Sequence, residues 1–151
     1  MSIENDIQIQ PGSPQPDLSV ASGPLRIIVQ PYIIKRGEES FGLIRLWLDG
    51  ELTERTLDVL SRISVDLRRR GARRFLVDAC RLTDIDAGGV RWLLDQLDTL
   101  RLWDGDLRMT NVGGKVRLLL DLMDVRRILA PEGDAEVALR QLALAPEPVE
   151  A

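Results

Sequence analysis

Phe75-Leu76-Val77-Asp78-Ala79-Cys80-Arg81-Leu82-Thr83-Asp84-Ile85-Asp86-Ala87-Gly88-Gly89-Val90 contains a change of period. Its first three residues are a short apolar run ending at Asp78, the pattern of a buried strand. Beyond Asp86 the apolar residues recur at helical spacing: Val90, Leu93, Leu94, Leu97 and Leu100. Asp86 has the position and chemistry of an N-cap, because its side-chain oxygen can accept the free amide protons of the next turn. A strand that runs into a capped helix is the unit from which α/β domains are built.

The same alternation extends in both directions. Upstream, Leu25 to Ile34 is rich in Ile and Val, and Leu43 to Leu48 alternates with Ile44, Leu46 and Leu48 on one side. Lys35-Arg36-Gly37-Glu38-Glu39 is short enough to join these runs as a hairpin. Thr53 to Arg70 is helical, with Leu57, Leu60, Ile63, Ser64 and Leu67 on one face and Gly71 at the C-terminal glycine position. Downstream, the first helix after Asp86 runs to about Arg101. A strand over Leu107 to Thr110 follows. A helix carrying Val116, Leu119, Leu120 and Met123 comes after Gly113-Gly114. A last short strand is expected at Ile128-Leu129 and a last helix over Ala135 to Leu142. The order β-β-α-β-α-β-α-β-α predicts an α/β fold with a mostly parallel sheet and an N-terminal antiparallel edge hairpin. The expected domain spans 25–143. Residues 1–24, punctuated by proline and glycine, and 144–151 read as disordered tails.

Composition narrows the chemistry. The 151 residues suit one domain, with 44% apolar and 29% charged residues, both ordinary for a globular chain. There is no histidine, which excludes histidine-based acid/base catalysis, histidine triads and histidine metal ligands. The single cysteine, Cys80, excludes an internal disulfide and multi-cysteine metal sites, and reads as a small buried hydrophobe. Net charge is −4, from 20 basic and 24 acidic residues, which argues against a dedicated nucleic-acid binder. Neither a basic-plus-apolar leader nor an apolar stretch approaching about 18 residues is present. The expectation is a reduced, cytoplasmic protein with no membrane insertion.

Local motifs add no catalysis. Gly113-Gly114-Lys115 lacks the earlier glycine and the following hydroxyl of a phosphate loop, and reads as a flexible helix start. Arg68, Arg69, Arg70, Arg73 and Arg74 surround Gly71. They read as cations offsetting a helix dipole in preference to a phosphate or nucleic-acid patch. Asp49, Asp78, Asp84 and Asp86 stand near strand ends without the spacing of a metal or acid/base set. No catalytic residue, cofactor or metal is expected.

Three segments together resemble a known family. Leu48-Asp49-Gly50-Glu51-Leu52 ends a strand, Phe75-Leu76-Val77-Asp78 follows, and then Leu82-Thr83-Asp84-Ile85-Asp86-Ala87-Gly88-Gly89-Val90. Their order is similar to the STAS domain of anti-sigma factor antagonists. The likeness continues through Asp106-Leu107-Arg108-Met109-Thr110-Asn111 and Val116-Arg117-Leu118-Leu119-Leu120, covering about residues 25–142. The resemblance implies a non-catalytic, SpoIIAA-like module that binds a kinase-like ATPase anti-sigma factor and so releases a sigma factor. In that family the partner phosphorylates a hydroxyl two residues after the motif aspartate. Here Asp86 and Gly89 match the motif, but Ala87 and Gly88 lie between them, so glycine stands at the acceptor position. The family's phospho-switch is therefore expected to be lost. The nearest substitute hydroxyl is Thr83, where the family often carries threonine too, so its expected role is structural. The alternative is an accessory or scaffold subunit of a stressosome-like or lipid-transport ABC complex.

Helical phase completes the expected partner surface. At about 100° per residue, Trp92 points away from the Val90-Leu93-Leu94-Leu97 stripe and is expected to be exposed or half exposed. Leu118 and Leu122 face away from the Val116-Leu119-Leu120-Met123 stripe in the same way. The expected docking residues are Asp86, Ala87, Gly88, Gly89, Trp92 and Leu118, since exposed large apolar groups mark interfaces.

Overall fold

A computed structural model describes residues 7–11, 18–131 and 135–143. Alternating β-branched and polar residues form strands β3 (Leu25–Arg36) and β4 (Glu39–Leu52), an antiparallel hairpin that turns at Gly37, whose φ is +61°. Helix α1 (Leu57–Arg69) leads into β5 (Arg74–Ile85), and α2 (Ala87–Leu102) leads into β6 (Asp106–Thr110). β4, β5 and β6 pair in parallel, each return made by one helix. The chain then forms α3 (Gly114–Leu122), the single turn α4 (Arg126–Leu129) and α5 (Ala135–Ala143). The result is the expected α/β fold with a mixed sheet.

Period-two alternation divides the sheet into two apolar faces. Ile27, Leu46, Leu48, Phe75, Val77 and Met109 join α1, α2 and α3 in the main core. Leu43 and Leu76, one position out of phase, meet Ala138 and Leu142 of α5 together with Ile34. Tyr32 and Phe41 flank this second cluster. Farther along that face lies a polar group. Fully buried Asp78 pairs with Arg45, whose Nε donates at 3.1 Å. The Arg45 guanidinium stacks 4.0 Å over the Trp47 ring.

The N-terminal residues differ from the expectation. Within the predicted tail, β1 (Ile7–Pro11) and β2 (Leu18–Ser22) both pair antiparallel with β3, β1 along Tyr32–Arg36 and β2 along Leu25–Val29. The sheet therefore extends beyond the hairpin. Prolines and glycines around these segments obscure them in sequence, although Pro11 ends its strand, where a missing N–H is tolerated. Of the rest of the two predicted tails, residues 23–24 form a turn, and 1–6, 12–17 and 144–151 lie outside the described residues.

Two element boundaries also change. Ile128-Leu129 is helical, not a strand: the Ile128 and Leu129 amides both donate to Val125 O, at 3.1 and 3.0 Å. Two apolar residues are too few to distinguish the periods. Helix α1 begins at Leu57 and not Thr53, because Thr53 to Thr56 form a tight turn. In it the Thr56 hydroxyl accepts from Thr53 N at 3.1 Å and donates to Glu51 O at 3.0 Å.

Candidate functional site

The junction at Asp86 is built by three converging segments. β5 ends beside β4, and the Asp86 amide donates to Leu52 O at 3.3 Å. Asp86 Oδ1 accepts from Gly89 N at 2.7 Å, so the cap read from sequence is formed. Its other oxygen accepts from Glu54 N at 3.2 Å, which ties the turn before α1 to the first turn of α2. One carboxylate, with an oxygen on each, thus holds two segments distant in sequence.

The two glycines that follow have different surroundings. A Cβ on Gly89 would lie 2.4 Å from Leu52 O, so α2 packs on the end of β4 where only glycine fits. A Cβ on Gly88 would meet a side chain instead: Glu54 Cγ at 2.6 Å and Glu54 Oε1 at 3.1 Å. The position where the resemblance places a hydroxyl is occupied by the carboxyl arm of Glu54. A carboxylate is favoured there by the free amides and dipole of α2. Nothing in the sequence marks Glu54 for this place; it arrives through the Thr53–Thr56 turn. Ala87 is exposed and Gly88 half-buried, so this helix start is open to a partner.

Trp92 is not exposed. It is 8% accessible, and its indole Nε1 donates to Ser61 Oγ at 2.8 Å. The expectation considered one buried face of α2, towards the sheet. α1 creates a second. One turn further along the same seam, Ser64 Oγ donates to Gln96 Oε1 at 2.7 Å. Trp92 therefore leaves the candidate docking surface and joins the helix packing. Leu118 and Leu122 are 59% and 75% accessible, as the helical phase predicts. α2 and α3 both start beyond the C-terminal ends of parallel strands, β5 and β6, the edge where open α/β sheets carry their ligands.

The other sequence candidates have local roles. Thr83 Oγ1 donates to Gly50 O at 2.9 Å, joining β5 to the irregular end of β4. Asp84 accepts from Ile85 N, and Asp49 lies 4.0 Å from Arg81. Cys80 is exposed, contrary to its reading as a buried hydrophobe, because β5 carries it beyond the part covered by β6. Partial desolvation of its sulfur and the neighbouring Asp78 carboxylate push its thiol pKa up, which opposes thiolate chemistry. For Asp78, burial alone would raise the pKa. Hydrogen bonds from Arg45, the Cys80 amide and Asn111 outweigh it and hold the carboxyl below its usual range. No group of three acidic or cysteine ligands stands together among the described residues. No helix among them is long and apolar enough to cross a membrane.

Comparison with known proteins identifies the architecture. No protein-family model and no curated protein sequence matches the chain. Solved structures do. The anti-sigma factor antagonist SpoIIAA in its unphosphorylated form superposes with a TM-score of 0.57 at 19% identity, over 66% of this chain and 86% of that one. An anti-sigma factor antagonist from Mycobacterium paratuberculosis gives a TM-score of 0.63 at 15% identity, over 81% of this chain and 97% of that one. The chain has the SpoIIAA-like, STAS fold.

Proposed function

We propose that the protein is a non-catalytic binding module of the anti-sigma factor antagonist type, whose partner is an anti-sigma factor of the kinase-like ATPase type. The observation that carries this reading is the α2 start. It is an open, capped helix N-terminus that presents Ala87 and Gly88, with Glu54 lying over Gly88. The docking surface comprises Asp86, Ala87, Gly88 and Gly89, with Leu118 on α3. Asp86 and Gly89 shape it, and Ala87, Gly88 and Leu118 touch the partner. Without a hydroxyl at Gly88, docking is not gated by phosphorylation there, and Thr83, engaged with Gly50 O, stays structural. The reading places the protein in the cytoplasm, acting on transcription by partner switching.

An exposed apolar patch of Trp92, Leu118 and Leu122 would favour the accessory- or scaffold-subunit alternative, and burial of Trp92 takes that support away.

The test is recovery of partners from lysate of the source cell with ATP present, followed by mass spectrometry. The expected result is a kinase-type anti-sigma factor, no phosphate on the chain, and loss of the partner with Leu118→Arg. Phosphate on Thr83 would disprove the loss of the switch. A transporter subunit in place of the anti-sigma factor would overturn the assignment.

A further inference from the structure

The arginines of this acidic chain are unevenly placed. α1 and α2 end at the N-terminal edge of the parallel strands, about 24 Å along α2 from the Asp86 cap. Between those two helix ends lies a groove of about 320 Å³, lined by Arg68, Arg69 and Arg73, with Val65, Leu100 and Trp103 as its apolar part. A second groove, of about 400 Å³, lies across α2 from the first, bordered by Arg101, Arg108 and Arg127. The two meet where the Asp106 amide donates to Arg73 O at 2.9 Å. Six arginines thus line the pair of grooves against a single carboxylate, Asp106.

Dipole compensation accounts for only part of this. Arg73 Nη1 does bind the carbonyls of Arg68 and Ala72 at the end of α1, both at 2.9 Å. A guanidinium carries five donors, however. Arg101 Nε and Arg108 Nε share Asp106, at 3.7 and 3.6 Å, while Arg68 Nε makes no hydrogen bond and Arg69 and Arg127 line the grooves with no carboxylate of their own there. Beside them, Trp103 is 61% and Leu102 83% accessible, and Ile128 is also exposed.

We infer that this surface binds an acidic, amphipathic segment of a partner protein. Carboxylates on the segment pair with Arg68 and Arg69 in one groove and Arg101 and Arg127 in the other. An apolar side chain between them lies on Trp103 and Leu100. The alternation of cations with apolar surface matches a chain that alternates acids with apolar residues. A nucleic-acid strand fits less well. Trp103 is the only exposed aromatic ring among the described residues, so successive bases have no stacking series. A flat anionic membrane would press its headgroups against Asp104 and Asp106, which stand beside Trp103 and within the second groove. The site lies at the opposite edge of the sheet from Gly88, and its occupancy does not depend on the proposed antagonist role.

Trp103 supplies the assay. The full chain is titrated with a synthetic peptide of four Glu-Glu-Leu repeats while tryptophan emission is followed. The expected result is a saturable shift that Trp103→Phe abolishes and salt weakens. Arg69→Glu combined with Arg127→Glu should weaken binding about tenfold while leaving the circular dichroism unchanged. No saturable shift, undiminished affinity in the double variant, or equal affinity for a Lys-Lys-Leu peptide would each overturn the inference. So would tighter binding of oligo-dT or of phosphatidylserine vesicles than of the acidic peptide.

Discussion

Adjacent glycines at the start of α2 separate a packing requirement from an open position. Gly89→Ala drives a Cβ to 2.4 Å from backbone Leu52 O, which cannot move without breaking the β4–α2 contact. The expected loss is about 2–3 kcal/mol in denaturant unfolding. Gly88→Ser meets only the flexible arm of Glu54, which can swing into solvent, and should cost under about 1 kcal/mol. Equal losses would mean that Glu54 is fixed in place. Asp78 gives a pH prediction. Asp78→Asn leaves Arg45 with no charged partner in a buried setting and should cost about 3 kcal/mol at neutral pH. The folded pKa of Asp78 lies below its unfolded value near 3.9. Its ionised form therefore stabilises the fold above that pH, and the contribution is lost as pH falls through the folded value. The difference in stability between wild type and Asp78→Asn should shrink steadily below about pH 4. A difference independent of pH would show that Asp78 acts by shape alone. Single-residue chemistry of this kind was partly legible: the Asp86 cap follows from one side chain and the next turn, whereas Glu54 over Gly88 needs the tertiary fold.

Helix endings show which local signals carry through to elements. α1 stops in a Schellman motif, with Gly71 N to Arg68 O at 3.0 Å and Ala72 N to Leu67 O at 3.0 Å. Gly71 announces that ending in sequence. α2 and α3 end in the same way without glycine at the left-handed position. Asp104 has φ +63° and Asp124 φ +57°. Gly105 N bonds Leu100 O at 2.8 Å, and Val125 N bonds Leu120 O at 3.0 Å. Aspartate tolerates this conformation but does not signal it. Asp104→Gly relieves that backbone and should stabilise by about 0.5 kcal/mol, read as a small rise in Tm. Its neighbour behaves oppositely. A Cβ on Gly105 would stand 1.9 Å from Arg73 O, the acceptor for Asp106 N, so Gly105→Ala should cost more than about 2 kcal/mol. A Tm unchanged in both variants would separate the α2 ending from the stability of the sheet. Trp92 was misplaced by the same limit of scale. One helix's periodicity identifies its largest apolar face, while α1 claims another that only packing reveals.

Over the whole molecule, the sheet has two apolar faces and an extended hairpin that outreaches its parallel neighbours. β3 and β4 pair from Leu25 with Gly50 to Arg36 with Glu39, yet β5 joins β4 only from Leu43 onward. The outer end of the hairpin is held by β1 on one edge and by the Ile34, Leu43, Leu76 and α5 cluster. The alternating order of strands and helices was readable because each crossover has its own period. The edge strands were not, because proline and glycine interrupt and flank them. That difference has a consequence for the apparent domain boundary at residue 25. Removing residues 1–24 deletes β1 and β2, leaves β3 paired with β4 alone, and exposes the amides and carbonyls of its outer edge along most of its length. An unguarded strand edge templates pairing with another chain. The shortened protein should keep the α1–α2 core, whose described members begin at Leu25. It should also self-associate, with molar mass by light scattering rising with concentration while the full chain's does not. A shortened chain that stays monomeric and melts at the same temperature would show that the β1 and β2 pairings contribute nothing to the guarded edge. In that case the domain would begin at Leu25, where the sequence alone places it.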